Sequence, residues 1–199
     1  MPLSILALNC TLKPSGASST QKLLDLALAE FGKDCTIEQL RMATLNIKPG
    51  VSSDEGEGDD WPGVREKIIA ADILLIGTPI WMGQPSSVAK RVLERMDAFL
   101  GETDDENRTP AYGKVAAVVV VGNEDGAHHV SAELYQALVD VGFSIPAGGP
   151  SYWVGEAMGD VDFKDLKTTP EKTALTNRML ARNASHLAKL LKASAYPGY

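Results

Sequence analysis

The feature that most constrains this chain is a set of short, predominantly apolar runs, at residues 3–8, 72–77 (DILLIG) and 115–121. A strand that alternates apolar and polar residues buries one face, whereas a strand apolar at every position is buried on both. Helical periodicities separate these runs. Residues 18–31 place Leu23, Leu24, Ala27 and Leu28 on one face, and residues 61–71 carry Pro62 where a first helical turn accepts it. Further helices are expected over 86–100, 127–141 and 170–192. Residues 35–41 alternate, as a strand near a sheet edge would, and 144–147 reads as a short extended stretch leading into Gly148-Gly149-Pro150. Strand followed by helix, five times over, predicts a doubly wound α/β fold: a five-stranded parallel sheet with helices on both faces.

Residues 49–60 and 101–113 are acidic and read as loops. The 199 residues, 44% of them hydrophobic, suffice for one continuous core, and no internal repeat or long linker divides them. The reading is one domain over 1–199, with a C-terminal extension at about 150–199. A formal net charge of −7 disfavours nucleic acid as a partner. It leaves room for an anionic cofactor, because a few backbone N–H groups hold a phosphate without net positive charge. The two cysteines, Cys10 and Cys35, form neither a disulfide framework nor a metal-binding spacing. The opening residues read as a strand rather than a signal peptide, and no apolar run reaches the length of a membrane span. A soluble, cytoplasmic setting is the resulting expectation.

In open α/β sheets ligands bind beyond the carboxyl ends of the strands. The loop at 9–20 is small, rich in hydroxyls and runs into a helix, so Thr11, Lys13, Ser18, Ser19 and Thr20 are candidates for a phosphate cradle. Helix capping alone would need one hydroxyl, and this loop supplies several. The loop at 77–87 carries Pro79, Ile80, Trp81, Met82 and Gly83, an apolar shelf suited to a flat heteroaromatic ring; packing against a neighbouring surface is the competing account of Trp81. The loop at 121–129 offers Gly122, Asn123 and Gly126 for the polar edge of such a ring, or makes an ordinary strand-to-helix turn. His128 and His129 read as surface residues at a helix start. Together the three loops suit a mononucleotide with a large planar ring.

These residues resemble the flavodoxin-like NAD(P)H-dependent FMN reductase family, which includes quinone reductases and the flavin domains of iron–sulfur flavoproteins. Cys10-Thr11-Leu12-Lys13 followed by Ser18-Ser19-Thr20-Gln21-Lys22-Leu23 is similar to that family's GSxR…GNTxxL phosphate loop. The stretch from Gly77 to Gly83, with Lys90 and Glu94-Arg95-Met96-Asp97, resembles its SPVYWG…LKxFxDR segment. The resemblance covers most of residues 3–147. Cys10 stands where Gly is common, Lys13 replaces Arg, and Ser19 replaces Asn.

The resemblance implies a sheet order of 2-1-3-4-5, FMN as cofactor, NAD(P)H as electron donor, and a flavin, quinone or similar small molecule as acceptor. It also implies a homo-oligomer, dimer or tetramer. The flavin carries the chemistry, so no catalytic acid or base is assigned. The extra cysteine cluster of the iron–sulfur members is missing, and no metal is expected. Tyr152 and Trp153 are expected just after the fifth strand, walling the substrate side. A flavodoxin-type electron carrier without NAD(P)H turnover and a non-enzymatic regulator of the same fold are the alternatives. The sequence lacks a GxSxG elbow, a P-loop and a GxGxxG fingerprint.

Overall fold

The computed structural model describes residues 2–198. Its strands are β1 (Ser4–Asn9), β2 (Thr36–Arg41), β3 (Ile73–Trp81), β4 (Gln84–Pro85), β5 (Val115–Gly122) and β6 (Pro150–Val154). Five of them are parallel and lie in the order β2-β1-β3-β5-β6, while β4 folds back antiparallel onto the end of β3. With the parallel strands alone counted, this is the expected order 2-1-3-4-5. The helices are α1 (Ser19–Leu28), α2 (Trp61–Ala70), α3 (Ser87–Met96), α4 (Ala127–Asp140) and α5 (Glu171–Ala193).

The central strands carry apolar residues at consecutive positions because successive side chains serve two different layers. Leu6, Leu8, Leu74, Ile76, Ala116, Val118 and Val120 pack with residues of α2, α3 and α4. Their neighbours Ile5, Ala7, Ile73, Leu75, Ala117 and Val119 pack with residues of α1 and α5. The edge strand β2 alternates in sequence and is largely exposed.

Two expectations need correction. The fifth strand is not 144–147: Ser144 makes only an isolated parallel bridge to Val115, and the strand lies at Pro150–Val154. Tyr152 and Trp153 therefore sit within it, paired with Val120 and Val121, and the segment read as an extension begins with a strand of the sheet itself. The hydrophobic pattern hid this strand because its most buried position is polar. Ser151 is fully buried, its hydroxyl donating to Asn177 Oδ1 at 2.6 Å on α5. The second correction is at the shelf, where Pro79, Ile80 and Trp81 continue β3 instead of forming a loop.

The acidic stretch at 49–60 is tied down by one side chain. Arg95 of α3 donates to the carbonyls of Lys48 (3.0 Å) and Ser52 (2.9 and 3.1 Å) and to Asp59 Oδ2 at 2.7 Å. Both partners of this ion pair are fully buried. Burial alone would raise the Asp59 carboxyl, but Arg95 and the N–H groups of Glu55, Lys48 and Trp61 hold it well below the usual carboxylate range.

Candidate functional site

At the carboxyl ends of β1, β3 and β5 the three loops enclose a cleft of about 620 Å³. That lies within the roughly 300–1,000 Å³ of small-molecule sites. Thr11, Lys13, Ser18, Ser19, Thr20, Pro79, Ile80, Trp81, Met82, Gly122 and Asn123 all line it. A shallower concavity of about 730 Å³ around Arg65, Glu102 and Arg108 lies beside Lys114, at the amino end of β5, away from these loops. Arg65 pairs there with Glu102, Arg108 pairs with Asp104 and Glu106, and Lys114 donates to the Ala71 carbonyl.

The first loop leaves β1 through Asn9, whose side-chain carbonyl accepts from the N–H of Thr11 at 3.0 Å. Cys10 follows, fully buried; desolvation pushes its thiol far above the ordinary range, so it packs as a small apolar group. Three successive residues at the head of α1 then differ sharply. Ser18 is the N-cap, its Oγ accepting from the N–H of Gln21 at 3.3 Å. Ser19 Oγ accepts from the backbone N–H of Lys164 at 3.1 Å. Thr20 is 1% exposed and its Oγ1 has no partner at all, although the residue lines the cleft. An unmatched buried hydroxyl costs about 1–3 kcal/mol. Ser18 and Ser19 retain their hydroxyl protons for donation as well.

The shelf is a two-residue hairpin. Ile80 pairs with Pro85 and Trp81 with Gln84, and the turn residues Met82 (φ 54°) and Gly83 (φ 70°) are both left-handed, as such hairpins require. Trp81 is 54% exposed and Met82 90%. The N–H of Met82 donates to Glu124 at 2.9 Å, which ties the hairpin to the loop after β5.

Gly83, expected in the shelf, and Gly126, expected along the polar edge of the ring, are not among the residues lining the cleft. They meet each other instead: a Cβ on Gly126 (φ 128°) would lie 3.0 Å from the Gly83 Cα, so two backbones approach where no side chain fits. Asn123 lines the cleft, but its amide donates to Asp162 Oδ1 (3.0 Å) and the Gly159 carbonyl (3.3 Å). His128 and His129 are engaged outside the cleft, the first with the Tyr152 hydroxyl and the second with Gln84, both at 3.0 Å.

Sequence reasoning expected the segment from Tyr152 to Pro170 to close the pocket or to form a dimer, but it named none of the residues past Trp153 that line the cleft. Met158, Asp162 and Lys164 line the cleft from the segment between β6 and α5, and Glu124 joins them from the loop after β5. The signal for that segment was present in Phe163, a buried aromatic in an otherwise polar stretch. Among the described residues no group of His, Cys, Asp or Glu is placed to hold a metal, and no helix is long and apolar enough to cross a membrane.

The site's residues fit a flavin phosphate: an orphaned buried hydroxyl at a helix head, two further hydroxyls beside it, and an aromatic-aliphatic shelf at the strand ends. The chain is similar to several known proteins. Over 98% of its length the chain is 34% identical to the 8-demethyl-8-aminoriboflavin-5'-phosphate synthase of Streptomyces davaonensis, 81% of which is covered. The crystal structure of RosB with bound 8-demethyl-8-formylriboflavin-5'-phosphate superposes with a TM-score of 0.88 at 33% identity, covering 98% of this chain and 82% of that one. An NADH:FMN oxidoreductase, EMOB, superposes with a TM-score of 0.66 over 94% of this chain and 89% of its own, and at 19% identity it speaks for the fold alone. Residues 3–159 match the NADPH-dependent FMN reductase family, and the chain belongs to that family.

Proposed function

We propose that the protein is an FMN-dependent oxidoreductase that draws electrons from NAD(P)H and passes them to a flavin, a quinone or a similar small acceptor. The observation that carries this reading is Thr20 Oγ1, buried and unpartnered at the head of α1. It stands in a cleft whose far side is the Trp81–Met82 hairpin. Thr11, Ser18, Ser19 and Thr20 would hold the phosphate together with the free N–H groups of the helix terminus, and Lys13 would add a charge. Pro79 to Met82 would bear the ring; at Gly122 a Cβ would lie 2.9 Å from the Ile80 Cβ, so the missing side chain there lets Ile80 of the shelf pack against β5. FMN, when bound, supplies the hydride and electron chemistry. The protein's part is to seat it at the strand ends and leave the exposed Trp81 face open to donor and acceptor.

A second reading is favoured by the near full-length likeness to the aminoriboflavin-phosphate synthase: the flavin phosphate is the substrate and leaves altered. One experiment separates the readings. The purified protein is loaded with FMN, its visible spectrum is followed on adding NADH or NADPH with and without a quinone, and the recovered flavin is weighed by mass spectrometry. Bleaching by NAD(P)H, reoxidation by quinone and an unchanged flavin mass are expected. A flavin of altered mass would favour the second reading, and a yellow protein that NAD(P)H leaves coloured would favour a carrier. Failure to take up FMN would sink both flavin readings.

A further inference from the structure

Residues 155–166 form a strap between β6 and α5 that is fastened at both ends of the cleft. At one end the backbone N–H of Lys164 donates to Ser19 Oγ (3.1 Å), and Lys22 Nζ donates to the carbonyls of Lys164 (3.3 Å) and Leu166 (2.8 Å). Phe163 is 1% exposed and packs on Trp153 with ring centroids 5.3 Å apart, under the Lys22 ammonium. Towards the loop after β5, Asp162 and Gly159 are held by the Asn123 amide.

This fastening brings the side chain of Lys164 into the cleft that Thr20 and Lys13 line. Its ammonium is braced by Asp162 Oδ2 and Asp165 Oδ2, each at 2.6 Å. An ammonium carries three N–H donors, so two are engaged and the third is left for a ligand. The two carboxylates fix the group in place and keep it protonated. Lys164 also lies beyond residues 3–159, the part of the chain that matches the family.

We propose that Lys164 is a specificity-determining residue: its remaining N–H meets the ligand phosphate at the head of α1 and makes the site prefer a phosphorylated flavin over the unphosphorylated one. The proposal rests on the flavin reading above. A dianionic phosphate gains a charge-assisted hydrogen bond there, whereas riboflavin, with a hydroxyl in its place, gains little.

The test is titration of the full chain with FMN and with riboflavin, followed by flavin fluorescence, for the wild type, Lys164→Gln and Lys164→Arg. The wild type should prefer FMN. Lys164→Gln should weaken FMN about tenfold while riboflavin changes by less than about twofold. Lys164→Arg should retain the preference, since the charge and a donor remain. Unaltered riboflavin binding by Lys164→Gln also reports an intact fold. Equal weakening of both flavins, or an unchanged FMN-to-riboflavin ratio, overturns the role of Lys164 and leaves the flavin reading standing. A wild type that binds neither flavin overturns that reading and this proposal with it.

Discussion

Three neighbouring hydroxyls at the head of α1 look alike in sequence and differ completely in the structure. Ser18 caps the helix, Ser19 anchors the strap, and Thr20 is buried without a partner. A group in the last state is a liability to the empty protein and an asset to a bound anion, so one substitution should move the two properties in opposite directions. Thr20→Val keeps the shape and deletes the hydroxyl. The expected outcome is an unfolding free energy of the flavin-free protein that is unchanged or higher by about 1 kcal/mol, with FMN affinity about tenfold weaker. Urea unfolding and flavin titration on the same preparation check it; loss of stability with FMN affinity intact would refute it. The cleft residues were legible because small hydroxyls and exposed aromatics are conspicuous after apolar strands. What each hydroxyl does was not legible, since that depends on Lys164, 145 positions away from Ser19.

The same contrast holds among elements. The core strands β1, β3 and β5 announce themselves because burial on both faces leaves their central positions almost wholly apolar. Strand β6 and the strap do not, because each is secured by a few residues whose partners lie on other elements: Ser151 against Asn177, Phe163 against Trp153 and Lys22. The strap's attachment therefore concentrates on Phe163, and its loss should act locally first. Phe163→Ala removes a fully buried ring at a cost of about 3 kcal/mol. Amides of residues 155–166 should then lose hydrogen-exchange protection by a larger factor than those of β5, because they open in a smaller unit. Uniform loss of protection would mean that the strap unfolds only with the whole sheet. If the strap opens as a unit, Phe163→Ala should also reduce the preference for FMN over riboflavin, since Lys164 rides on it.

Across the whole molecule, two aspartates join segments far apart in the chain, and both carry carboxyls held below their ordinary range. Asp59 ties the 48–60 loop to α3 through Arg95, against the upward pull of burial. Asp72, at the amino end of β3, likewise resists burial through Lys192 of α5 and the N–H and hydroxyl of Ser4 in β1. A carboxyl with a depressed folded-state value lends its stability above the unfolded value near 3.9, and that contribution fades as pH falls towards the folded value. Stability should therefore decline below about pH 4, where the unfolded chain takes up protons that the native one refuses. Asp59 is the stronger of the two because neither its side chain nor that of Arg95 touches solvent, whereas the Lys192 side chain is 37% exposed. Asp59→Asn strands a buried guanidinium and should cost about 3–5 kcal/mol at pH 6. The variant no longer has that carboxyl to protonate, so its deficit relative to the wild type should shrink as the pH is lowered from about 5 to about 2. Denaturant unfolding of both proteins over that range is the measurement, and a deficit that stays constant would show that Asp59 is not where acid enters the structure.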